Sequence, residues 1–173
     1  MSHVHDASCA VAHGEAAPSE QPRTLVAVFA SPMAGFLLKY ATDLGYRTIL
    51  LEPGPNRLPD LPDTKRVTEP TADFDDSTDV VITDHHRDGI GPILRDILAH
   101  PVRWIGIIGS PRHQGPHIQA LTDLSVPPAE IARVHRPIGL DIGSRTPPEI
   151  AIATLAGLIA DRNNRPGGFT FAR

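Results

Sequence analysis

The 173-residue chain contains one cysteine, Cys9, so an internal disulfide framework and a CxxC site are both excluded. It has no cluster of lysine or arginine and a formal net charge of -4, which removes the basic surface that nucleic-acid backbones require. Small molecules or proteins are the partners this balance leaves. No apolar run is long enough to span a bilayer, and the start of the chain lacks the basic-then-apolar order of a signal peptide. The expectation is a cytoplasmic protein without membrane contact. No carboxylate pair, Ser/His/Asp order or metal-ligand set stands out for covalent or metal catalysis. His3, His5, Cys9 and His13 match no closed zinc spacing, so no metal site is expected there.

What is present is enough apolar sequence for one domain with a real core. Residues 1–22 mix Ala, Pro, Ser, Glu and His without apolar periodicity and read as a flexible tail. The domain is expected over 23–173. Its order is set by short buried-strand runs: 24–30 (TLVAVFA), 46–51, 79–83 (DVVIT) and 102–108, with a short edge strand around 65–68 and a last one near 133–135. Between them lie helical patterns. Leu37, Leu38, Ala41 and Leu44 form one, stopped by Gly45, and Ile90, Ile93, Leu94, Ile97 and Leu98 form another. A weaker pattern runs through Ile118, Leu121 and Leu124, with a helical turn at 128–132. The best-marked helix starts at Thr146-Pro147-Pro148-Glu149, a capping box with proline in the first turn, and is apolar almost all round from 150 to 160. Alternating strands and helices of this kind predict an α/β domain, doubly wound on a mostly parallel sheet.

Strand, turn, helix, strand and then Glu52 is the first half of a dinucleotide-binding unit, with the carboxylate where a ribose would be held. The glycine fingerprint is mostly missing. Ala30, Pro32 and Gly35 stand in its place, and Pro32 removes an N–H where a pyrophosphate needs close backbone approach, so ordinary NAD(P) binding is not expected. The crevice of such a sheet opens at the carboxyl ends of its strands. Ser31 and His85 would line it, His85 standing in a polar cluster of Asp84, His85, His86, Arg87 and Asp88. Two adjacent histidines on extended backbone would point to opposite sides. Asp84 or Asp88 would equally serve as a simple helix cap. Gly109, Ser110, Pro111 and Arg112 follow the next strand and, by opening a helix, would form an anion site. Gly139, Asp141, Gly143 and Arg145, ahead of the last helix, would close over the same edge. Both loops also suit plain turn and helix initiation.

Two segments carry more than pattern. Trp104 to Arg112 reads WIGIIGSPR, and His135 to Ala160 reads HRPIGLDIGSRTPPEIAIATLAGLIA. They resemble the signature segments of the C-terminal Rossmann-like domain of the XdhC/CoxI family, Y-I-G-x-x-G-S-R and P-I-G-L-D-I-G followed by T-P-E-E-I-A. Gly106, Gly109 and Ser110 match the first; Pro137 to Gly143, Thr146, Pro147, Glu149, Ile150 and Ala151 match the second. The resemblance implies an accessory factor for xanthine dehydrogenase and related molybdenum hydroxylases. Such a factor binds the molybdenum cofactor, supports its sulfuration and hands it to the apo-enzyme, with a cysteine desulfurase as a further partner. It is a carrier rather than a catalyst. Departures are the Ala30-Ser31-Pro32 turn in place of G-A-G, Pro111 inside the G-S-R run, and the family's N-terminal domain, which has no counterpart in these residues. They fit a divergent or partnered member. Two other readings stay open: an NAD(P)- or nucleotide-binding oxidoreductase using Glu52 and His85, and a ligand-free scaffold or homodimer docked through helix 150–160.

Overall fold

The computed structural model describes residues 11, 13–14, 23–55, 61–110, 112 and 115–167. The expectation for the tail falls, apart from positions 11, 13 and 14, outside the described residues. Among the described residues six strands form one sheet: β1 (Thr24–Val28), β2 (Arg47–Leu51), β3 (Thr64–Val67), β4 (Thr78–Ile82), β5 (Trp104–Ile107) and β6 (Val134–His135). Every pairing is parallel and the order is β3-β2-β1-β4-β5-β6. The chain thus winds outward from β1 to one edge, returns, and winds outward from β4 to the other.

Parallel strands covered on both faces need apolar residues on both, which is why the central runs do not alternate. Along β1, Val26 and Val28 enter one core layer with β4, β5 and the helix α2 (Ile90–Leu98). Leu121 of α3 (Pro116–Asp123) joins them. Leu25 and Ala27 enter the opposite layer with α1 (Pro32–Asp43) and α5 (Pro147–Arg162). A short helical turn, α4 (Pro128–Ile131), precedes β6. The expected doubly wound α/β domain is therefore the observed one, and its sheet is wholly parallel.

Helix α5, apolar almost all round from 150 to 160, is covered on one broad side. Ala151, Ala153, Leu155, Gly157 and Leu158 are buried, and small residues on both partners let it lie against Ala34, Leu37, Leu38 and Ala41 of α1. Ile152 and Ile159 remain exposed. Both ends of α5 are pinned. At the start, the Glu149 carboxylate accepts the backbone N–H groups of Arg145 (2.8 Å) and Thr146 (3.0 Å), completing the capping box. At the other end Arg162 reaches fully buried Asp79 on β4, with Nε 3.0 Å from Oδ2.

Three local expectations need correction. Gly109 and Ser110 do not lead into a helix: Arg112 lies in a turn, and α3 begins at Pro116 behind Gly115, where a Gly-Pro pair supplies the better start. His85 and His86 lie in a turn rather than on extended backbone, so their rings sit side by side with centroids 3.9 Å apart. Neither Asp84 nor Asp88 caps α2. Asp84 accepts the His86 N–H at 3.0 Å, and the cap position is Gly89 at φ 86, a left-handed conformation that an aspartate would enter only with strain.

Candidate functional site

At the β1 turn, where a dinucleotide fold receives its pyrophosphate, the chain has filled the space itself. Phe29 is buried and adopts φ 71, a conformation normally left to glycine. It is held there by the Thr83 hydroxyl, which donates to the carbonyl oxygens of Val28 (2.9 Å) and Phe29 (2.7 Å). Ser31 caps α1 by accepting the Ala34 N–H at 3.1 Å and donates to Thr83 Oγ1. Pro32 occupies the first turn of that helix. Glu52, only 7 % exposed, accepts the N–H of Ala30 at 2.7 Å and of Gly54 at 2.8 Å, and pairs with Arg87 at 2.9 Å. Arg87 also lies over the Phe29 ring, 4.9 Å from its centroid. The carboxylate that would hold a ribose is thus engaged by its own backbone and by an arginine.

An opening lies on the other side of the switch point, at the carboxyl ends of β4 and β5. It is a cleft of about 520 Å³. His85 enters from the β4 loop, and Gly109, Ser110 and Arg112 from the β5 loop. Asp141, Gly143 and Arg145 arrive from the segment ahead of α5. Of the residues singled out by sequence, these seven meet in one place; Ser31, Glu52 and Gly139 do not line it. Ser31 and Glu52 belong to the β1 turn described above. Gly139, at φ 89, has a different reason to be glycine: a Cβ there would come within 3.2 Å of the α5 backbone at Ala153 and Thr154. That close approach lets Leu140 donate its N–H to the Ala153 carbonyl at 3.1 Å, which fastens the loop to the helix.

Within the cleft the Ser110 hydroxyl accepts the Arg112 N–H at 3.2 Å and shapes the turn after β5. The side chains of Arg112 and Arg145 are exposed at its rim. Ile108, Ile138, Leu140 and Ile150 give it an apolar wall, and Ser144 adds a hydroxyl. Sequence alone does not mark these five as site residues, since apolar positions in such runs look like core and Ser144 has no local signal that sets it apart from a turn residue. Asp141 is the one acidic group among the described lining residues, so the basic side chains outnumber it. Such an arrangement suits a flat ligand with an anionic end: apolar wall beneath, guanidinium groups at the mouth. No group of three or more His, Cys, Asp or Glu side chains capable of holding a metal ion occurs among the described residues.

An open, wholly parallel sheet wound in this order, with its cleft at the strands' carboxyl ends, defines a Rossmann-type binding domain. The model of the XdhC Rossmann domain matches residues 25–158, and the chain belongs to that family. It is 39% identical over 75 residues to the uncharacterized protein YqeB of Escherichia coli (strain K12), covering 43% of this chain and 14% of that protein. It is also similar to a crystal structure of a xanthine dehydrogenase from Bacillus halodurans, with a TM-score of 0.64 and 28% identity over 87% of this chain and 46% of that one. The chain therefore spans less than half the length of either relative. No helix among the described residues is long and apolar enough to cross a membrane.

Proposed function

We propose that the chain is an accessory factor for a xanthine dehydrogenase-type molybdenum hydroxylase, and that the cleft between the β4, β5 and 138–145 loops holds the anionic molybdenum cofactor during sulfuration or transfer to the apo-enzyme. The observation that carries this reading is that the two family-signature segments, separate in sequence, supply most of one cleft. Its volume of about 520 Å³ lies in the range of small-molecule sites. A phosphate-bearing pterin would find the Gly109 and Ser110 backbone and the Arg112 and Arg145 guanidinium groups as anion donors, with the Ile108–Ile138–Ile150 wall under its ring. When bound, the cofactor supplies the metal-centred chemistry of the client hydroxylase. The chain's own residues would orient it and keep water from one face. The apo-hydroxylase and a cysteine desulfurase are the partners this role requires.

The engaged state of Glu52 and the proline in the first turn weigh against the oxidoreductase alternative, because both the ribose and the pyrophosphate anchors are taken. The test is to purify the chain gently from a molybdenum-competent host and measure bound molybdenum by mass spectrometry and the pterin by fluorescence after oxidation. Arg112→Ala removes a charged hydrogen bond worth roughly 1.5–3 kcal/mol, so occupancy-derived affinity should fall about ten- to a hundredfold. Absence of molybdenum and pterin from wild-type protein that is co-expressed with its client would reject the carrier role. Normal loading of both Arg112→Ala and Arg145→Ala would reject the site while leaving the role standing.

A further inference from the structure

A second cavity, of about 390 Å³, lies behind the cleft at the amino end of α3. Gly115, His117 and Ile118 from the first turn of that helix line it, together with Arg136 and Pro137 just after β6. None of its described lining residues is acidic. His117 is 4 % exposed, and its Nδ1 is shielded from solvent with no hydrogen-bond partner among the described residues. Buried imidazole nitrogens are as a rule hydrogen-bonded, so this one has hydrogen-bonding capacity that no described residue uses.

Two glycines seat these side chains. A Cβ on Gly115 would stand 2.4 Å from His117 Cε1, 2.5 Å from its Nδ1 and 3.2 Å from Arg136 Cδ. Gly115 has an ordinary φ of -70, so its backbone does not require glycine; the imidazole packed against it does. On the other side, a Cβ on Gly109 would stand 2.5 Å from Arg136 Nη2. Gly109 also lines the main cleft, so Arg136 forms the partition between the two spaces. The helix start contributes its positive end, with no side chain capping it.

We propose that this second cavity is an oxyanion site that takes a phosphoryl group between Arg136, the His117 imidazole and the first turn of α3. It stands independently of the cofactor reading. Burial, and then the Arg136 charge, hold the His117 imidazole below its ordinary titration range, so it is neutral near pH 7. A phosphoryl dianion beside it would offset that charge and favour the imidazolium, which could then donate.

The experiment is a titration of isotope-labelled full-length protein with inorganic phosphate and, in parallel, adenosine monophosphate, following the His117 ring resonances. The expected result is a saturable shift of His117 with inorganic phosphate and a rise of its titration midpoint. Arg136→Ala should weaken binding about tenfold or more, the loss expected for a charged hydrogen bond, with partial recovery in Arg136→Lys. Gly115→Ala should abolish the response by displacing the His117 ring from its seat, while circular dichroism stays that of the wild type. Arg95→Ala, which removes a guanidinium paired with Asp96 on α2, should leave it unchanged. A matching response to adenosine monophosphate would identify a ligand-borne phosphoryl group; a response to inorganic phosphate alone would identify the free ion. No saturable His117 response to either, or one that persists in Arg136→Ala and Gly115→Ala alike, overturns the proposal.

Discussion

Replacing Asp79 with asparagine tests how α5 is held at the end away from the cleft. Asp79 is wholly buried on β4 and faces two arginines: Arg103 Nε is 2.6 Å from Oδ1, and Arg162 Nη2 is 2.8 Å from Oδ2. Arg103 also reaches Asp161 at 2.5 Å, and Arg162 donates to the Ser77 carbonyl at 2.9 Å. Removing one partner of a buried pair costs about 3–5 kcal/mol because a desolvated charge is left behind. Here the stranded groups are guanidiniums that keep partial exposure, 24% for Arg103 and 16% for Arg162, and keep their second acceptors. The lower end, about 3 kcal/mol, is therefore expected for Asp79→Asn, which preserves shape and removes charge. For a domain of this length that is a fall in Tm of about 6–12 °C. Urea unfolding followed by circular dichroism at neutral pH reads it, with an unchanged slope showing that the unfolded state is not what moved. Asp43→Ala is the matched control. Its contact with Lys39 is long, at 3.6 Å, and exposed on both sides, so it should change stability by no more than about 0.5 kcal/mol. If Asp79→Asn falls in the same narrow range as the control, the buried network does not anchor α5 and the reasoning is wrong.

Calorimetric titration with NAD and NADP should show no tight binding to the wild type; tight binding lost in Glu52→Ala would mean that the carboxylate leaves Arg87 to hold a ribose. Gly139→Ala should release the 138–145 loop from α5, because a methyl group would meet the helix backbone and the residue would keep φ 89 only under strain. Loss of amide protection at Leu140 in hydrogen exchange would report it, and an unchanged exchange rate there would refute it. The backbone N–H groups of Arg145 and then Thr146 hold the Glu149 carboxyl below its ordinary value. A depressed carboxyl contributes stability above its unfolded pKa and loses it as pH falls through the lower folded value. Acid titration of stability should therefore be flatter in Glu149→Gln than in the wild type below about pH 4.5, and parallel curves would count against the capping box.

The order of elements was legible because it is written in local signals. Pro147 and Glu149 mark the start of α5, Gly45 ends α1, and the unbroken apolar runs of β1, β4 and β5 belong to a sheet covered on both faces. The signature segments were legible too, since their glycines and arginines stand together in sequence. What misled was ambiguity between neighbours of equal local merit. Gly109-Ser110-Pro111 and Gly115-Pro116 are both good helix starts, and packing of Leu121 into the core selects the second. His85 and His86 looked like strand continuation, yet the Asp84 side chain turns the backbone there.

By itself, then, the sequence determined the alternating α/β order on a mostly parallel sheet and the family, because each follows from residues within a few positions of one another. Only the tertiary structure decided which candidate groups the protein itself engages. Glu52 stands at the ribose position by sequence spacing, but Ala30, 22 residues earlier, and Arg87, 35 residues later, come to its carboxylate through space. Likewise nothing in the local pattern joins His117 to Arg136, or explains why Gly115 must lack a side chain. A carboxylate or an imidazole has the same local signature whether its partner is a ligand or the protein, and the choice rests on which group the folded chain brings within hydrogen-bond distance.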